Sequence, residues 1–389
     1  MLTRRRIEAA AYLAFIALIL VLPAFLGEFW INRMAKYLVY GMLGVAICLT
    51  WGYAGILNLG QGLFFGLGAY MMAMSLKLAS NTSMQQGSDT PIPDFMFWNA
   101  EPGAKSDLCC ITKASFLWTP FQSQWFGLAM ALIAPTLVAV LIGAVIFRKR
   151  IAGVFISIIM LALVLLVRLL VINGQPLTNG FNGLTDLGSF SIGDFSFDAY
   201  GLPTYYTVAI ALAAVLVGTR LLVETRAGLV LQAVRDDANR ARFLGFDVPN
   251  YQIFFFAVSA AIAGLAGLLY VNVAEFASPT FMDLAFSITM VVWAAVGGRS
   301  SLLGACIGAI LINMAEAGMS ETQSLVESWR AIIGLIFILV VLFLPRGFAG
   351  LFNDVIERLL GRSTRPRPVE ARPEAAREPL RVTSSKGSL

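Results

Sequence analysis

Ten apolar stretches recur along this chain, near 9–29, 35–56, 61–79, 125–147, 151–172, 204–223, 253–273, 284–297, 301–318 and 330–345. A hydrocarbon core roughly 30 Å thick takes about 20 helical residues to cross, so most of these stretches can span it once. No water reaches the inside of a bilayer to satisfy backbone groups, so unbroken apolar runs of this length must be α-helices. The short alternating segments of an outer-membrane barrel are not seen. Composition agrees: 58% of the 389 residues are hydrophobic and 13% charged, where soluble domains lie nearer half and a quarter. The fold expected is an all-α, polytopic transmembrane bundle of about ten spans.

The first stretch follows Arg4-Arg5-Arg6, as a signal peptide would. Its apolar length exceeds a signal core, and Ala24-Phe25-Leu26-Gly27 is a poor cleavage site, so it reads as a retained span. The eighth and ninth stretches are short and flank Gly297-Gly298-Arg299-Ser300-Ser301. They read as two tilted helices with a tight turn, or as a re-entrant pair.

Arginine and lysine set the orientation. With ten spans, Arg4–Arg6, Arg148-Lys149-Arg150, the 224–252 segment, Arg299 and the C-terminal tail all fall on one side. That side holds 21 of the 28 basic residues and the other holds 6. By the positive-inside rule it is cytoplasmic, and both termini are inside. The domain expected is a permease body over 1–352, with external loops 80–124 and 173–203 and a cytoplasmic loop 224–252. Residues 353–389 form a basic tail rich in Arg, Pro, Glu and Ser that reads as disordered. Five spans precede the 173–203 loop and five follow, the arrangement of two inverted halves.

Residue chemistry narrows the function. The chain has no histidine, which excludes imidazole metal sites and histidine bases. Cys48 and Cys306 lie in apolar runs, and Cys109-Cys110 are neighbours without metal or redox spacing. No acidic residue stands at mid-span, where a proton- or sodium-coupled carrier would often place one; Arg168, Glu275 and Glu316 lie near outer helix ends. There is no G-x-x-x-x-G-K-[ST] loop, so ATP and magnesium must be held by another polypeptide. Nothing here marks an enzyme.

Between two of the apolar stretches, Glu224–Pro249 is charged and helix-forming. Leu229, Leu231, Val234, Ala238, Ala241 and Leu244 give one loosely amphipathic helix, with Arg235, Asp236, Asp237, Arg240 and Arg242 on its wetter sides. Gly245 suits its C-terminal cap and Pro249 stops it. Such a helix is a handle that a partner in water can grip.

Four blocks carry a resemblance to a known family. Arg226-Ala-Gly228, Ala233-Val-Arg235-Asp236-Asp237, Ala241 and Gly245-Phe-Asp resemble the coupling loop of the inner-membrane permeases of branched-chain amino acid and urea ABC importers. Asn58-Leu-Gly60-Gln-Gly62-Leu-Phe-Phe-Gly66-Leu-Gly68-Ala-Tyr70 is similar to that family's early glycine-rich block. Gly297-Gly298-Arg-Ser-Ser-Leu-Leu-Gly304-Ala-Cys-Ile-Gly308-Ala is similar to its late one, and Pro345-Arg346-Gly347-Phe-Ala-Gly350-Leu to its closing one. The urea branch fits best, on Ile92-Pro-Asp-Phe-Met-Phe-Trp98-Asn, Pro120-Phe-Gln-Ser and Asn173-Gly-Gln-Pro176 through Thr185. The resemblance implies a bacterial inner-membrane permease moving urea by alternating access. It also implies a second permease, two cytoplasmic ATPases and an external substrate-binding protein as partners, besides membrane lipid and without nucleic acid. Arg226, Gly228, Arg235, Asp236, Asp237, Ala241 and Gly245 would couple it to the ATPases, with Arg235, Asp236 and Asp237 as charged contacts at the rim. Asn58, Gln61 and Asn182 are expected to line the path, since uncharged amides suit urea. The alternatives are a branched-chain amino acid permease and an ATP-independent carrier or channel.

Overall fold

The computed structural model describes residues 2–80, 91–98, 116–193, 195–321 and, beyond these, 334, 335, 338, 347, 348 and 350. The expectations for Cys109-Cys110, for most of the 330–345 stretch and for the 353–389 tail fall outside the described residues.

Seven described helices are long and apolar enough to cross a membrane by length and composition. They comprise α1 (Leu2–Val21, whose apolar part runs on to Phe25), α2 (Glu28–Ile47, extended to Tyr53), α5 (Gln124–Arg148), α6 (Val154–Asn173), α8 (Leu202–Glu224), α11 (Val248–Ala274) and α13 (Leu302–Glu321). Two more expected stretches are helical but different in kind. α12 (Leu284–Gly297) is apolar and only 14 residues long. α3 (Gln61–Leu78) falls outside the seven and is buried along nearly its whole length.

That burial follows from its place. α3, α5 and α11 make the most extensive mutual contacts, and α2 joins this core to α13, α12 and α8. Lipid tails are as apolar as leucine, so close backbone approach is what draws such helices together. Gly68 meets the backbone of Gly264, and Gly308 that of Gly297, so closely that a methyl group on Gly68 or Gly308 would overlap main chain. The outside is apolar instead. Val154, Phe155, Ile158, Leu166, Leu169 and Leu170 of α6 are exposed, as suits a hydrocarbon surrounding.

Two departures from regular helix matter. After Ile47 the chain passes into a π-helical turn, Cys48–Tyr53, then runs without helix to Gly60 before α3 begins. The external-loop candidates also fold. Strands β1 (Phe190–Ile192) and β2 (Phe195–Phe197) form an antiparallel hairpin, a small exception to the all-α expectation. Short helices α4 (Asp94–Trp98) and α7 (Gln175–Thr178) lie in the same loops. Leu184 and Ala277 pair backbone to backbone, each N–H donating to the other's carbonyl at 2.8 Å.

Candidate functional site: a coupling segment and a buried amide cluster

The charged segment is two helices rather than one. α9 (Arg226–Asp236) starts at Thr225, whose hydroxyl accepts the Gly228 N–H at 3.3 Å. It stops at Asp237, which is extended at φ −156° and ψ 98°. The Asp237 carboxylate accepts the N–H groups of Asn239 and Arg240 at 3.0 and 3.1 Å and so opens α10 (Ala238–Phe243). An aspartate offers the backbone this alternative to continued helix, and a periodicity argument does not register it. Gly245 does end α10, at φ +89°, while Pro249 stands in the first turn of α11 and starts a helix rather than only stopping one. Proline at that place loses no hydrogen bond, because the first N–H groups are free anyway.

The faces also differ from the expected stripe. Val234, Ala241 and Val248 are buried together, with Val230 and Ala238 against them. Leu229, expected on the apolar side, is exposed, as are Leu244 at 77% and Phe243 at 92%. Arg226 is exposed, and Gly228 is buried against the backbone of Val223. Asp237 pairs with Arg240 at 2.9 Å, within its own segment.

Arg235 keeps 37% of its side chain exposed, but its head group turns back onto the chain. Its Nη1 donates to the Gly52 carbonyl at 2.6 Å, while Nε and Nη2 donate to Asp236 Oδ1 at 3.1 and 3.0 Å. Its stem lies on Gly55, which has φ +70° and whose missing Cβ would come within 2.7 Å of Arg235 Cγ.

Beyond Gly55 the irregular run leads to the two amides. Asn58 and Gln61 are completely buried. Asn58 Nδ2 donates to Gln61 Oε1 at 2.7 Å, and Asn58 Oδ1 accepts the Gly60 N–H at 2.9 Å. Gln61 Nε2 donates to the carbonyl and hydroxyl of Ser259, both at 3.2 Å, and the Ser259 hydroxyl donates to the Ala46 carbonyl at 2.7 Å. Ser157 of α6 donates to the Leu57 carbonyl at 2.6 Å. The cluster therefore ties α2, α3, α6 and α11 where α2 and α3 are broken apart.

Asn182 is not part of it. It ends a 3-10 turn after α7 and is exposed. Sequence reasoning also missed Ser259, Ser157 and Gly52. The only trace of the first was a hydroxyl inside an otherwise apolar run. Among the described residues no group of His, Cys, Asp and Glu side chains is placed to hold a metal ion.

A family model described as branched-chain amino acid transport system / permease component matches residues 30–341. The high-affinity branched-chain amino acid transport system permease protein LivM of Salmonella typhimurium is 25% identical over 336 residues, covering 80% of this chain and 67% of that protein. LivM of Escherichia coli K12 is 26% identical over 335 residues with the same coverage. The ribose import permease protein RbsC of Escherichia coli K12 is 25% identical over 200 residues, half of this chain and 60% of RbsC. No solved structure matches the chain. The family match takes in both the coupling segment and the amide cluster, and the chain belongs to this family of ABC importer permeases, transport subunits rather than enzymes, whose ATP is handled by partner ATPases.

Proposed function

We propose that the chain carries urea across the bacterial inner membrane as one of two permeases of an ABC importer, with α9 and α10 moved by the partner ATPases. The uncharged set at the break between α2 and α3 carries the cargo reading. Asn58 and Gln61 hold the same groups as urea, a carbonyl and an NH2. A urea molecule entering the cluster can replace the Asn58–Gln61 bond, its carbonyl accepting from Asn58 Nδ2 and one NH2 donating to Gln61 Oε1, so that neither side-chain amide is left unpaired. An unpaired atom would cost about 1–3 kcal/mol. The blocks at 92–99, 120–123 and 173–185 support the same branch. A branched-chain amino acid is the second reading, favoured by the names of the LivM relatives.

Orientation enters the same proposal. Arg148, Arg150 and Arg242 surround one cavity of about 500 Å³ beside the coupling segment. Arg299 stacks near Trp51, next to the Gly52 that Arg235 grips. The positive-inside rule makes this arginine-rich end cytoplasmic and leaves loops 80–124 and 173–203 outside, where a binding protein delivers solute. Exposed Phe243 and Leu244 are the surface offered to an ATPase groove, with Arg226 beside α9's start.

The test is uptake into proteoliposomes holding the complete transporter, with labelled urea and labelled leucine in parallel, each with its binding protein. ATP-dependent uptake of urea supports the proposal. Uptake of leucine alone moves the cargo to the second reading, and urea uptake by this subunit alone without ATP would sink the driven mechanism.

A further inference from the structure

We infer that Arg235 is a positioning residue that works inward, transmitting the movement of α9 to the break between α2 and α3, and is not an ATPase contact. This rests on reading α9 and α10 as the coupling segment.

All three guanidinium nitrogens are engaged within the chain. Asp236 holds two of them, which fixes the plane of the group and aims the third at Gly52. The Gly52 carbonyl belongs to the π-helical turn, at the end of a helix where carbonyls lack helical partners and carry partial negative charge. A guanidinium there makes a charge-assisted bond, shorter and stronger than a neutral one. Gly55 completes the seat, since its positive φ and bare Cα let the arginine stem lie flat on the chain.

The same turn is held from its other side by the α12–α13 connection. Cys48 Sγ donates to the Arg299 carbonyl at 3.1 Å and the Tyr53 hydroxyl to the Ser300 carbonyl at 3.3 Å. The space where Gly52 would carry a Cβ is filled by the Arg299 carbonyl. Gly347, from the closing block, packs on Gly298 of that connection. Two separated segments, α9 and the α12–α13 connection, therefore converge on one turn of irregular helix, and π-turns are rare enough that their use at such a junction is telling. From Tyr53 the chain runs without helix to Asn58. A shift of α9 that pulls the Gly52 carbonyl reaches Asn58 along a short run that is stiffened where the Ile56 N–H donates to the Thr50 carbonyl at 2.8 Å. Arg235 is thus the link between the element that a partner pushes and the amide cluster.

The experiment uses the complete transporter in proteoliposomes, with Arg235→Ala, Arg235→Lys, Gly55→Ala and Leu244→Asp. Three quantities are read: co-purified ATPase, ATP hydrolysis, and labelled urea or leucine moved per ATP. For Arg235→Ala, ATPase assembly and hydrolysis should stay near wild type while solute per ATP falls about tenfold or more, within the usual range of coupling between sites. Arg235→Lys should restore part of the ratio, since an ammonium can reach Gly52. Gly55→Ala should copy Arg235→Ala from the other side of the contact. Leu244→Asp should lose the ATPases. If Arg235→Ala loses the ATPases as Leu244→Asp does, the residue is a rim contact and the inference is overturned. Unchanged solute per ATP in both Arg235→Ala and Gly55→Ala overturns it as well. If Leu244→Asp keeps its ATPases while Arg235→Ala uncouples, the docking surface is wrong and the inward link stands.

Discussion

The loop-covered end of the bundle and the end that carries α9 and α10 are built on opposite plans. At the first, donors on the long helices reach loop carbonyls and are buried with them. Lys77 is 2% exposed and gives its ammonium to Asp94 at 2.9 Å and to the Thr185 carbonyl at 3.0 Å. Asn32 donates to the carbonyls of Ala199 and Val273 at 2.8 and 2.9 Å, Ser75 to that of Phe121 at 2.7 Å, and the buried Trp118 to that of Leu177 at 3.0 Å. At the second end the cations stay at the surface, large apolar side chains face out, and a miniature core of three residues holds the segment's shape. The first end is knitted to the bundle at many points. The second hangs on fewer, with Leu231 buried in the bundle's core and Arg235 bonded to Gly52. Sparse attachment is what a lever needs, since each extra buried bond would have to break when it moves.

Removing a knot at the covered end should cost most. Lys77→Ala leaves Asp94 and the Thr185 carbonyl without their cation, worth about 3 kcal/mol after allowing for the partial exposure of Asp94. Thermal unfolding in detergent should show it, and Arg235→Ala should lower the midpoint far less. Equal losses would break the contrast between the two ends.

Asn58→Leu comes next. It strands Gln61 Oε1 and the Gly60 N–H inside the bundle, at about 2 kcal/mol. Uptake should fall further than the amount of inserted protein does. Matching losses would reduce the amide to a packing element. Asp237→Ala is smaller, about 1 kcal/mol, because it removes only a cap. A six-residue helix is marginal without one, so α10 should fray and co-purified ATPase should drop while the loop-covered end keeps its protection from protease. Intact assembly would show that α10 is held by Val234 and Val248 alone.

How much of this was legible in the sequence differs by element. The spans were, because hydrocarbon forces long apolar runs into helices whatever the details. Glycine-paired crossings such as Gly68 on Gly264 were visible as small-residue spacing, though not which helix each would meet. The break after Ile47 was hidden: beyond Lys36 the 35–56 stretch carries no charge, and neither Gly52 nor Gly55 announces a π-turn. The split at Asp237 was hidden by ambiguity, since aspartate serves a polar helix face and a cap equally well. Arg235 looked like a surface charge for a different reason. Its acceptor is a backbone carbonyl 183 residues away, and no side-chain pattern can mark a carbonyl. Asn58 and Gln61 stood out as polar residues in an apolar setting, but the hydroxyl of Ser259 that completes their bonds came from a distant run.

Glu275 offers the finest test of the covered end. It follows α11 with its N–H bonded to the Val271 carbonyl at 2.9 Å, in the left-handed conformation at φ +59°. That place suits glycine, and Glu275→Gly should stabilise by up to about 1 kcal/mol. A second, separable cost is electrostatic. Desolvation pushes the carboxyl's pKa up, the neighbouring Asp198 adds to the rise, and Lys36 opposes it. A raised acid pKa means that the fold disfavours the ionised form, so stability falls as pH rises through that pKa and is unaffected well below the ordinary carboxylate range. Glu275→Gln removes only this charge cost. It should raise the unfolding midpoint at neutral pH and leave it unchanged in acid, whereas Glu275→Gly should help at both. If Glu275→Gln helped equally in acid, the penalty at this corner would be conformational alone, and the covered end would be strained by its backbone rather than by its charges.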